Sequence, residues 1–371
     1  MLFQENIPLA PFTTLKLGGP ARRYCVIKTM EDLFFALQLA RETSQKTYVL
    51  GGGSNTIFMD KGFDGLVLHI LIPGIRCFDS NESNAVYRVG AGVVWDDFVR
   101  FTVEQGLAGI EALSGIPGSV GASPIQNIGA YGQEVKDTIL SVETVGVNGE
   151  REEIENKDCN FSYRNSIFKS GIKSKSIVTY VTFKLSKVDP PCFRYPEVAK
   201  FKQELETKFN SLANKITLTE KIEDQVLDER IQLFKEYRNL ILSLRKRKSM
   251  VLDESDRNTR SVGSFFMNPI LNQNEVTKFL NRVRELSIQP PQIFVEGEGL
   301  SKISAAWLIE NSGIQKGSKF HGGVGISENH CLALVNIDGS TKALLEMAGQ
   351  IQDLVFQKFL IRLEKEPVLC T

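Results

Sequence analysis

The segment GIPGSVGASPIQNIGAYGQE, from Gly115 to Glu134, restricts the fold of this 371-residue chain more than any other part. Its five glycines and two prolines exclude a continuous helix, and they exclude a regular sheet strand as well. Several apolar residues, among them Ile116, Val120 and Ile128, make the segment too apolar for a freely moving linker. An ordered loop around a bulky, partly apolar ligand has both properties. A rigid surface loop is the alternative.

A second glycine segment, YVLGGGSN, runs from Tyr48 to Asn55. Glycines let backbone N–H groups approach a phosphate closely, and the side chains of Ser54 and Asn55 add hydrogen-bond donors. The spacing matches neither the dinucleotide-binding fingerprint nor the P-loop. Taken alone, the segment is equally consistent with a tight turn after a strand. Together the two segments indicate a large phosphate-bearing cofactor.

Charge and cysteine usage narrow the class of protein. The 44 basic and 44 acidic residues cancel, which gives no electrostatic argument for binding nucleic acid or an anionic membrane. The six cysteines are scattered without a CxxC pair, a pattern that favours reduced thiols over a metal site or disulfides. The sequence shows neither a signal-peptide pattern nor an apolar run long enough to span a membrane. We therefore expect a soluble cytoplasmic protein without a metal site.

Hydrophobic periodicity predicts an α+β region followed by a helical one. From residue 22 to 187, short apolar runs alternate with glycine clusters. From 197 to 248 glycine is absent and apolar residues recur at helical spacing, which predicts two helices separated near 210–215. A capping-box pattern at 217–220 could begin the second helix, and the basic run 245–248 suits either its C-terminus or a phosphate. The predicted strands are 48–50, 66–68, 86–89, 142–147, 177–185, 331–336 and 361–369, and the other predicted helices are 31–41, 95–104, 274–286, 305–311 and 342–359.

Two polar residues in apolar surroundings are candidates for chemistry. Ser264, in VGSFFMNP, is either a small residue hydrogen-bonded to backbone or a reacting group, and none of the three histidines of the chain lies within fifty residues of it. Arg164, in FSYRNSIFK, could pair with a carboxylate or phosphate, although a solvent-facing arginine is the alternative. Near the C-terminus, an extended chain would place Arg362, Glu364 and Glu366 on one face.

These motifs carry a resemblance to a known family. GGGSN, GIPGSVGASPIQNIGAYGQE, SYRNSIFK and GSFFMNP, in this order, resemble the UDP-N-acetylenolpyruvoylglucosamine reductases (UDP-N-acetylmuramate dehydrogenases) of peptidoglycan synthesis, in their longer-loop type. TTLKLGGPA and GVGISENHCLALVN extend the similarity over nearly the whole chain except about 200–240. The resemblance implies an α+β protein: a two-subdomain FAD-binding fold of the vanillyl-alcohol-oxidase (PCMH) type plus a separate α+β substrate-binding domain.

The resemblance also implies domain boundaries and a cofactor. An FAD-binding domain would span 1–187, with subdomains of about 1–72 and 73–187. A mostly helical insert would follow at 188–255, and the substrate-binding domain would span 256–371, its C-terminal strand returning to the active site. FAD would be bound non-covalently, and NADPH would be the hydride donor. The residues expected to hold FAD are Gly51, Gly52, Gly53, Ser54, Asn55, Gly118, Val120, Gly121, Ala122, Ser123, Ile125, Gly129 and Tyr131.

The implied reaction reduces UDP-N-acetylglucosamine enolpyruvate to UDP-N-acetylmuramate for cell-wall biogenesis, and hence serves cell shape and division. Ser264 matches the proton donor, and Arg164 matches the arginine that holds the substrate carboxylate. Glu366 matches the assisting glutamate. The family usually ends in Leu-Glu-Pro-Glu-Val, whereas this chain has an altered pattern at 363–368, so Glu364 is an alternative to Glu366. The residues expected to contact the sugar nucleotide are Tyr195, Lys248 and Asn268.

Two other functions stay open at this stage. One is a flavin oxidase of the same fold that uses O₂ and another alcohol. The other is a catalytically silent protein that binds flavin or a sugar nucleotide. We expect small-molecule substrates, no nucleic-acid or membrane partner, and a monomer. The role of the helical insert is open between a lid support and a partner surface.

Overall fold

The computed structural model describes residues 2–201, 207–209, 224–297 and 299–371. The described chain forms two compact units that alternate along the sequence. Unit 1 comprises Met1–Ile7, Arg22–Gly52 and Asp64–Arg247, and unit 2 comprises Pro8–Ala21, Gly53–Phe63 and Lys248–Thr371. The predicted domain boundaries near 188 and 256 concern function and stay a prediction. The predicted helix break near 210–215 and the capping box at 217–220 lie outside the described residues.

Among the described residues, the α-helices alternate with strands throughout the sequence, as the α+β prediction requires. The helices, in chain order, are α1 (Met30–Glu42), α2 (Trp95–Glu104), α3 (Ile167–Ser170), α4 (Pro196–Ala199), α5 (Asp224–Lys246), α6 (Gln273–Glu285), α7 (Ala305–Glu310) and α8 (Thr341–Phe359). The strands are β1 (Phe3–Pro8), β2 (Pro20–Ile27), β3 (Thr47–Leu50), β4 (Thr56–Phe58), β5 (Phe63–Ile70), β6 (Ile75–Ser80), β7 (Asn84–Gly90), β8 (Gly129–Ala130), β9 (Gln133–Glu134), β10 (Ile139–Val145), β11 (Arg151–Glu155), β12 (Ile177–Ser186), β13 (Ile270–Asn272), β14 (Ile293–Val295), β15 (Leu300–Ile303), β16 (Lys319–Phe320), β17 (Val324–Ile326), β18 (Leu334–Asn336) and β19 (Val368–Cys370). None of the helices in these ranges is long and apolar enough to cross a membrane.

Unit 1 contains two larger sheets. The first has the order β1-β2-β5-β3, with β3 and β5 parallel. Helix α1 begins at a capping box formed by Thr29 and Asp32, and its apolar face packs in one core cluster with β5. The second sheet has the order β11-β10-β12-β7-β6 with antiparallel neighbours. Helix α2 buries Trp95 and Phe98 in the core of that sheet. This packing fixes the positions of the two ends of the loop 115–134.

Helix α5 also belongs to unit 1, and its apolar face is the one that the sequence predicts. Val226, Leu233, Tyr237 and Leu244 are all buried along it. Several of these residues form a core cluster with Tyr131 of the glycine loop and Val198 of α4. The helical insert therefore packs on the loop that the sequence assigns to the cofactor.

Unit 2 is built around the amphipathic helix α8, whose buried face includes Leu344, Ile351 and Val355. Three small sheets accompany it: β13-β15-β14, β16-β17-β18, and the parallel pair β19-β4. Leu360 ends α8 in the left-handed conformation, with φ of 58°. These elements leave the segment 262–267 and the segment 361–367 as irregular chain.

The predicted C-terminal strand 361–369 is largely wrong. Only Val368–Cys370 forms a strand, and the preceding residues pair through one isolated bridge between Phe266 and Lys365. Because regular alternation is lost, the side chains predicted to share one face do not share an environment: Arg362 and Glu364 are exposed, whereas Glu366 is buried. The predicted strand 331–336 is shorter than expected, at Leu334–Asn336, and α2 is confirmed with the predicted bounds.

Candidate functional site

Within unit 1, Gly51 and Gly52 of the first glycine segment lie against the second glycine segment. A Cβ added at Gly52 would lie 2.6 Å from the Cα of Gly118, and one added at Gly51 would lie 2.7 Å from the Oγ of Ser119. Gly52 therefore requires glycine because two backbones meet there, although it is exposed on its other side. At Gly51 the close neighbour is the side-chain hydroxyl of Ser119. The backbone N–H groups of Gly51, Gly52 and Gly53 donate to none of the residues that the structure describes. Such N–H groups at a glycine turn fit an anionic diphosphate.

The second glycine segment is fastened at its beginning to the end of β7 and the start of α2. The N–H of Val120 donates to the carbonyl of Val93 at 2.9 Å, and the N–H of Gly121 donates to Ala91 at the same distance. A Cβ on Gly121 would lie 2.5 Å from that of Ala91. The Oγ of Ser123 is buried and finds no hydrogen-bond partner among the described residues. A buried hydroxyl of this kind is consistent with a ligand group bound beside it.

Asn127 holds the middle of the same segment, a role that the sequence analysis missed. It is fully buried and has φ of 46°, a left-handed conformation that asparagine tolerates better than most residues. Its amide donates to Glu134 and to the carbonyl of Ser162, both at 3.1 Å, and its oxygen accepts the N–H of Lys136. One side chain therefore joins residues 127, 134 and 136 of the segment and ties them to Ser162.

Arg164 lies in unit 1 beside this segment. It has φ of 53° and is half-buried, and its Nη2 donates to the carbonyl of Gly129 at 2.9 Å. Lys169 in turn donates to the carbonyl of Arg164 at 3.0 Å. A left-handed non-glycine residue is strained, and strain of this kind concentrates at functional sites. The predicted carboxylate-binding arginine is thus fixed against the predicted cofactor loop.

Two carboxylates support the loop, the half-buried Asp96 and the fully buried Glu111, and the sequence analysis named neither. Asp96 accepts two bonds of 2.7 Å from Arg238 of α5 and one of 2.6 Å from the N–H of Gly115. Burial alone would raise the pKa of Asp96, but these bonds, with the positive charges of Arg238 and Arg245, lower it below its usual value. The pair links helix α5 to the first residue of the glycine loop.

Glu111 is the second supporting carboxylate and is fully buried. It accepts the N–H of Gly109 at 2.6 Å, the N–H of Cys192 at 2.9 Å and the side-chain amide of Gln133 at 2.8 Å. Burial raises the pKa of Glu111, while the three donors oppose that shift. A single acidic residue in a short 3₁₀ turn gives no sequence signal for this role.

Tyr131 and Tyr195 were both predicted as site residues and come from different segments of unit 1. The two side chains are in contact. Their rings lie 5.2 Å apart, edge to face, and Tyr195 itself is partly exposed. A Cβ on Gly132 would lie 2.8 Å from the Cβ of Arg194, so the chain before Tyr195 passes directly over the glycine loop.

Ser264 lies in unit 2, on a segment held by its neighbours. Phe265 and Phe266 are buried, and the N–H of Phe265 donates to Leu332 at 2.8 Å. The hydroxyl of Ser264 is half-exposed and bonds to none of the residues that the structure describes. A hydroxyl on a fixed backbone that makes no bond within the described chain is free to bond to a ligand.

The C-terminal segment of unit 2 runs beside Ser264. The N–H of Glu366 donates to the carbonyl of Phe265 at 2.9 Å. The side chain of Glu366 is only 9% exposed, whereas Glu364 is exposed. Asn55, at the end of the first glycine segment, donates to the carbonyl of Glu366 at 3.4 Å. Within unit 2, the structure therefore brings together Ser264, Asn55 and Glu366.

A basic cluster in unit 2 surrounds Lys248. Burial first, and then the charges of Lys248 and Lys316, lower the pKa of His330 to about 4. The sequence analysis did not single out Lys316 and His330, because neither stands near Lys248 along the chain.

Asn268 has a structural partner: its Oδ1 accepts the N–H of Ala305 at 2.9 Å, at the first turn of α7. Its side-chain amide nitrogen is the part that a ligand could bind.

Comparison with known proteins defines first a class and then a family. Residues 21–155 match the FAD binding domain family, so the chain is a flavoprotein oxidoreductase by class. Residues 254–370 match the C-terminal domain of UDP-N-acetylenolpyruvoylglucosamine reductase. The reductase of that name from Thermobifida fusca is 40% identical over 374 residues, covering 99% of this chain and 98% of that protein. The chain belongs to the UDP-N-acetylenolpyruvoylglucosamine reductase family.

Further relatives agree with this assignment. The reductase of Streptomyces coelicolor is 40% identical over 371 residues, covering 98% of this chain and 89% of that protein. The crystal structure of the reductase from Thermus caldophilus matches with a TM-score of 0.64 at 22% identity, covering 100% of both chains. The structural match shows the fold. The α+β fold class, the FAD cofactor and the oxidoreductase class predicted from the sequence are thereby confirmed.

Proposed function

We propose that the chain reduces UDP-N-acetylglucosamine enolpyruvate to UDP-N-acetylmuramate with electrons from NADPH. FAD, when bound, supplies the hydride that adds to the methylene carbon of the enolpyruvyl group. Side chains of the protein must then hold the substrate carboxylate, stabilise negative charge and deliver a proton to the adjacent carbon. The observation that carries the proposal is the hydroxyl of Ser264, which bonds to no described residue and is held on a fixed backbone beside the buried Glu366.

The two glycine segments are the proposed FAD site. The N–H groups from Gly51 to Gly53 would bind the diphosphate, and the loop from Gly118 to Tyr131 would line the remaining cofactor. The backbone contact between Gly52 and Gly118 supports this assignment, since it fixes the spacing of the two segments.

Arg164 would hold the carboxylate of the enolpyruvyl group. A guanidinium presents a planar fork of donors that matches a carboxylate. The bond from Nη2 to the carbonyl of Gly129 holds this group beside the glycine loop. A positive charge at this position also stabilises the negative charge that develops next to the carboxylate as hydride adds.

Ser264 would donate its hydroxyl proton to the carbon next to the substrate carboxylate. A carbanion equivalent at that carbon is basic enough to take a proton from a weak acid, so a histidine is unnecessary. Burial favours Glu366 over the exposed Glu364 as the glutamate that assists this step. Tyr195, Lys248 and Asn268 would contact the sugar nucleotide, with Lys248 in a basic cluster suited to its diphosphate.

The test is a pair of anaerobic half-reactions on the purified protein. NADPH should bleach the flavin absorbance, and UDP-N-acetylglucosamine enolpyruvate should restore it. UDP-N-acetylglucosamine without the enolpyruvyl group is the matched control and should leave the flavin reduced. A flavin that stays reduced in the presence of the enolpyruvyl sugar nucleotide would contradict the proposed acceptor, and equal bleaching by NADH would contradict the preference for NADPH.

The same preparation distinguishes the alternatives. Fast reoxidation by air without the sugar nucleotide is the behaviour of a flavin oxidase, and flavin binding without either half-reaction is that of a silent binder. We also propose that the protein acts as a cytoplasmic monomer on small molecules. Light scattering should then give the mass of one chain.

A further inference from the structure

The backbone of Cys192 is held from two sides in unit 1. Its N–H donates to Glu111 at 2.9 Å, and its carbonyl accepts a hydrogen bond from the hydroxyl of Tyr237 on α5. Glu111 and Tyr237 are both fully buried. The ring of Tyr237 also packs edge to face on Phe193 at 5.6 Å. Cys192 stands three residues before Tyr195, so these contacts fix the base of the segment that carries that tyrosine.

Glu111 also holds the glycine loop. The same oxygen that accepts Cys192 accepts the amide of Gln133 at 2.8 Å, and the oxygen of Gln133 accepts the N–H of Ala112 at 2.8 Å. Gln133 follows Tyr131 and Gly132 in the loop assigned to FAD. One buried carboxylate oxygen thus bonds to both the cofactor loop and the segment of Tyr195.

The two segments touch beyond this oxygen. The rings of Tyr131 and Tyr195 are 5.2 Å apart, and Gly132 has no room for a side chain because Arg194 lies above it. Tyr131, Tyr237 and Val198 share one core cluster. The position of Tyr195 is therefore determined by contacts that extend from α5 through Cys192 to the cofactor loop.

We propose that Tyr237 and Glu111 are positioning residues that hold the segment 192–195 against the glycine loop, so that Tyr195 is placed for the sugar nucleotide. The inference rests on the proposed function, since it takes Tyr195 as a substrate contact. It gives the helical insert a role: α5 supplies the hydroxyl that fixes one side of Cys192. Neither residue touches the reacting atoms.

The test begins with Tyr237→Phe, which removes only the hydroxyl bond to Cys192. A lost hydrogen bond of this kind corresponds to about a fivefold to tenfold change in binding. We expect the KM for the enolpyruvyl sugar nucleotide to rise by roughly that factor. The kcat should stay within about twofold, and the FAD content should not change, because the variant leaves the reacting groups in place. Tyr24→Phe is the matched control, as it removes a hydroxyl that bonds to His69 at 2.5 Å elsewhere in unit 1. It should leave KM unchanged.

A double-mutant cycle with Tyr195→Ala separates positioning from general destabilisation. If Tyr237 acts through Tyr195, adding Tyr237→Phe to Tyr195→Ala should raise KM by less than about twofold. The same factor in both backgrounds would overturn the proposal, and so would an effect of Tyr237→Phe on FAD content alone. Glu111→Gln provides a second test: it should raise KM and also weaken FAD binding, since it touches both segments. Weaker FAD binding with unchanged KM in Glu111→Gln would contradict the positioning role of Glu111.

Different experimental results would reject this inference and the proposed function. The wild-type protein must first show reoxidation of its flavin by the enolpyruvyl sugar nucleotide, and its absence would reject the function. With wild-type turnover established, the cycle between Tyr237 and Tyr195 and the Glu111→Gln variant decide whether the positioning role holds.

Discussion

The glycine loop of unit 1 and the Ser264 segment of unit 2 are both irregular chain, but they are held in different ways. Polar side chains fix the glycine loop: Asp96 at Gly115, Glu111 at Gln133, and Asn127 in its middle. The Ser264 segment is fixed by two buried phenylalanine rings and by backbone bonds.

The difference shows how each region tolerates change. A loop held by glycine contacts and buried carboxylates depends on single atoms, since an unpaired buried polar group is costly. A segment anchored by apolar rings keeps its path when a polar side chain on it is replaced. Substitutions that disturb the glycine loop should therefore affect cofactor binding and stability, whereas substitutions of Ser264 or Glu366 should affect chemistry alone.

The largest expected effect comes from Gly52→Ala. Its new Cβ would lie 2.6 Å from the Cα of Gly118, so the two glycine segments must separate. We expect the purified variant to contain no flavin and to have no measurable turnover, as judged by the flavin absorbance and an NADPH oxidation assay. Gly349→Ala on α8, where a Cβ meets open space, is the control. It should keep its flavin and gain up to about 1 kcal/mol of stability from helix propensity. Normal FAD affinity in Gly52→Ala would contradict the proposed difference between the glycine loop and the Ser264 segment.

Glu366→Gln against Glu364→Gln tests the Ser264 region. The buried Glu366 should be needed for turnover, and we expect kcat to fall about 10- to 100-fold with FAD content unchanged. Glu364 is exposed, and its replacement should leave kcat within about twofold. Steady-state kinetics of both variants decide the assignment, and the reverse order of effects would move the role to Glu364.

Arg238→Met should have a smaller effect, on stability and FAD binding. It leaves Asp96 charged and two-thirds buried, and among the described residues the N–H of Gly115 is then its one hydrogen-bond donor. We expect a loss of about 1–3 kcal/mol in the free energy of unfolding and weaker FAD binding. Arg100→Met removes an exposed pair with Asp97 on the same helix α2 and should cost less than about 0.5 kcal/mol. Denaturant titrations measure both variants, and equal losses would show that the loop does not depend on Asp96.

The smallest effect is a pH dependence of that same pair. The folded-state pKa of Asp96 lies below its ordinary value of 3.8, so the carboxylate contributes its full stabilisation above that value. The contribution is lost as the pH falls through the lower folded-state pKa. The difference in unfolding free energy between wild type and Arg238→Met should therefore be constant near neutral pH and shrink below about pH 3.8. A difference in unfolding free energy that grows as the pH falls would contradict the lowered pKa of Asp96.

Local signals in the sequence were sufficient for the regular elements and the glycine segments. Helix α2 was predicted with its bounds because its apolar spacing is local, and the two glycine segments are recognised from their composition alone. The strand predicted at 361–369 failed because alternation along a chain does not reveal whether a partner strand is present.

The supporting residues could not be predicted for a different reason. Glu111 bonds to Cys192 across 81 residues, and Asp96 pairs with Arg238 across 142. No pattern within either segment records contacts of that separation. The proposed choice of Glu366 over Glu364 likewise depends on burial, which is a property of the folded chain.

The measurement that tests the account most directly is the rate of each half-reaction in Ser264→Ala. Because the segment is held by Phe265 and Phe266, the variant should bind FAD and be reduced by NADPH at the wild-type rate. Reoxidation by the enolpyruvyl sugar nucleotide should be slower by roughly 10²- to 10⁴-fold, the range for loss of a proton donor. Reoxidation at the wild-type rate would remove Ser264 from the chemistry, and slowing of both half-reactions alike would show that the segment positions the cofactor instead.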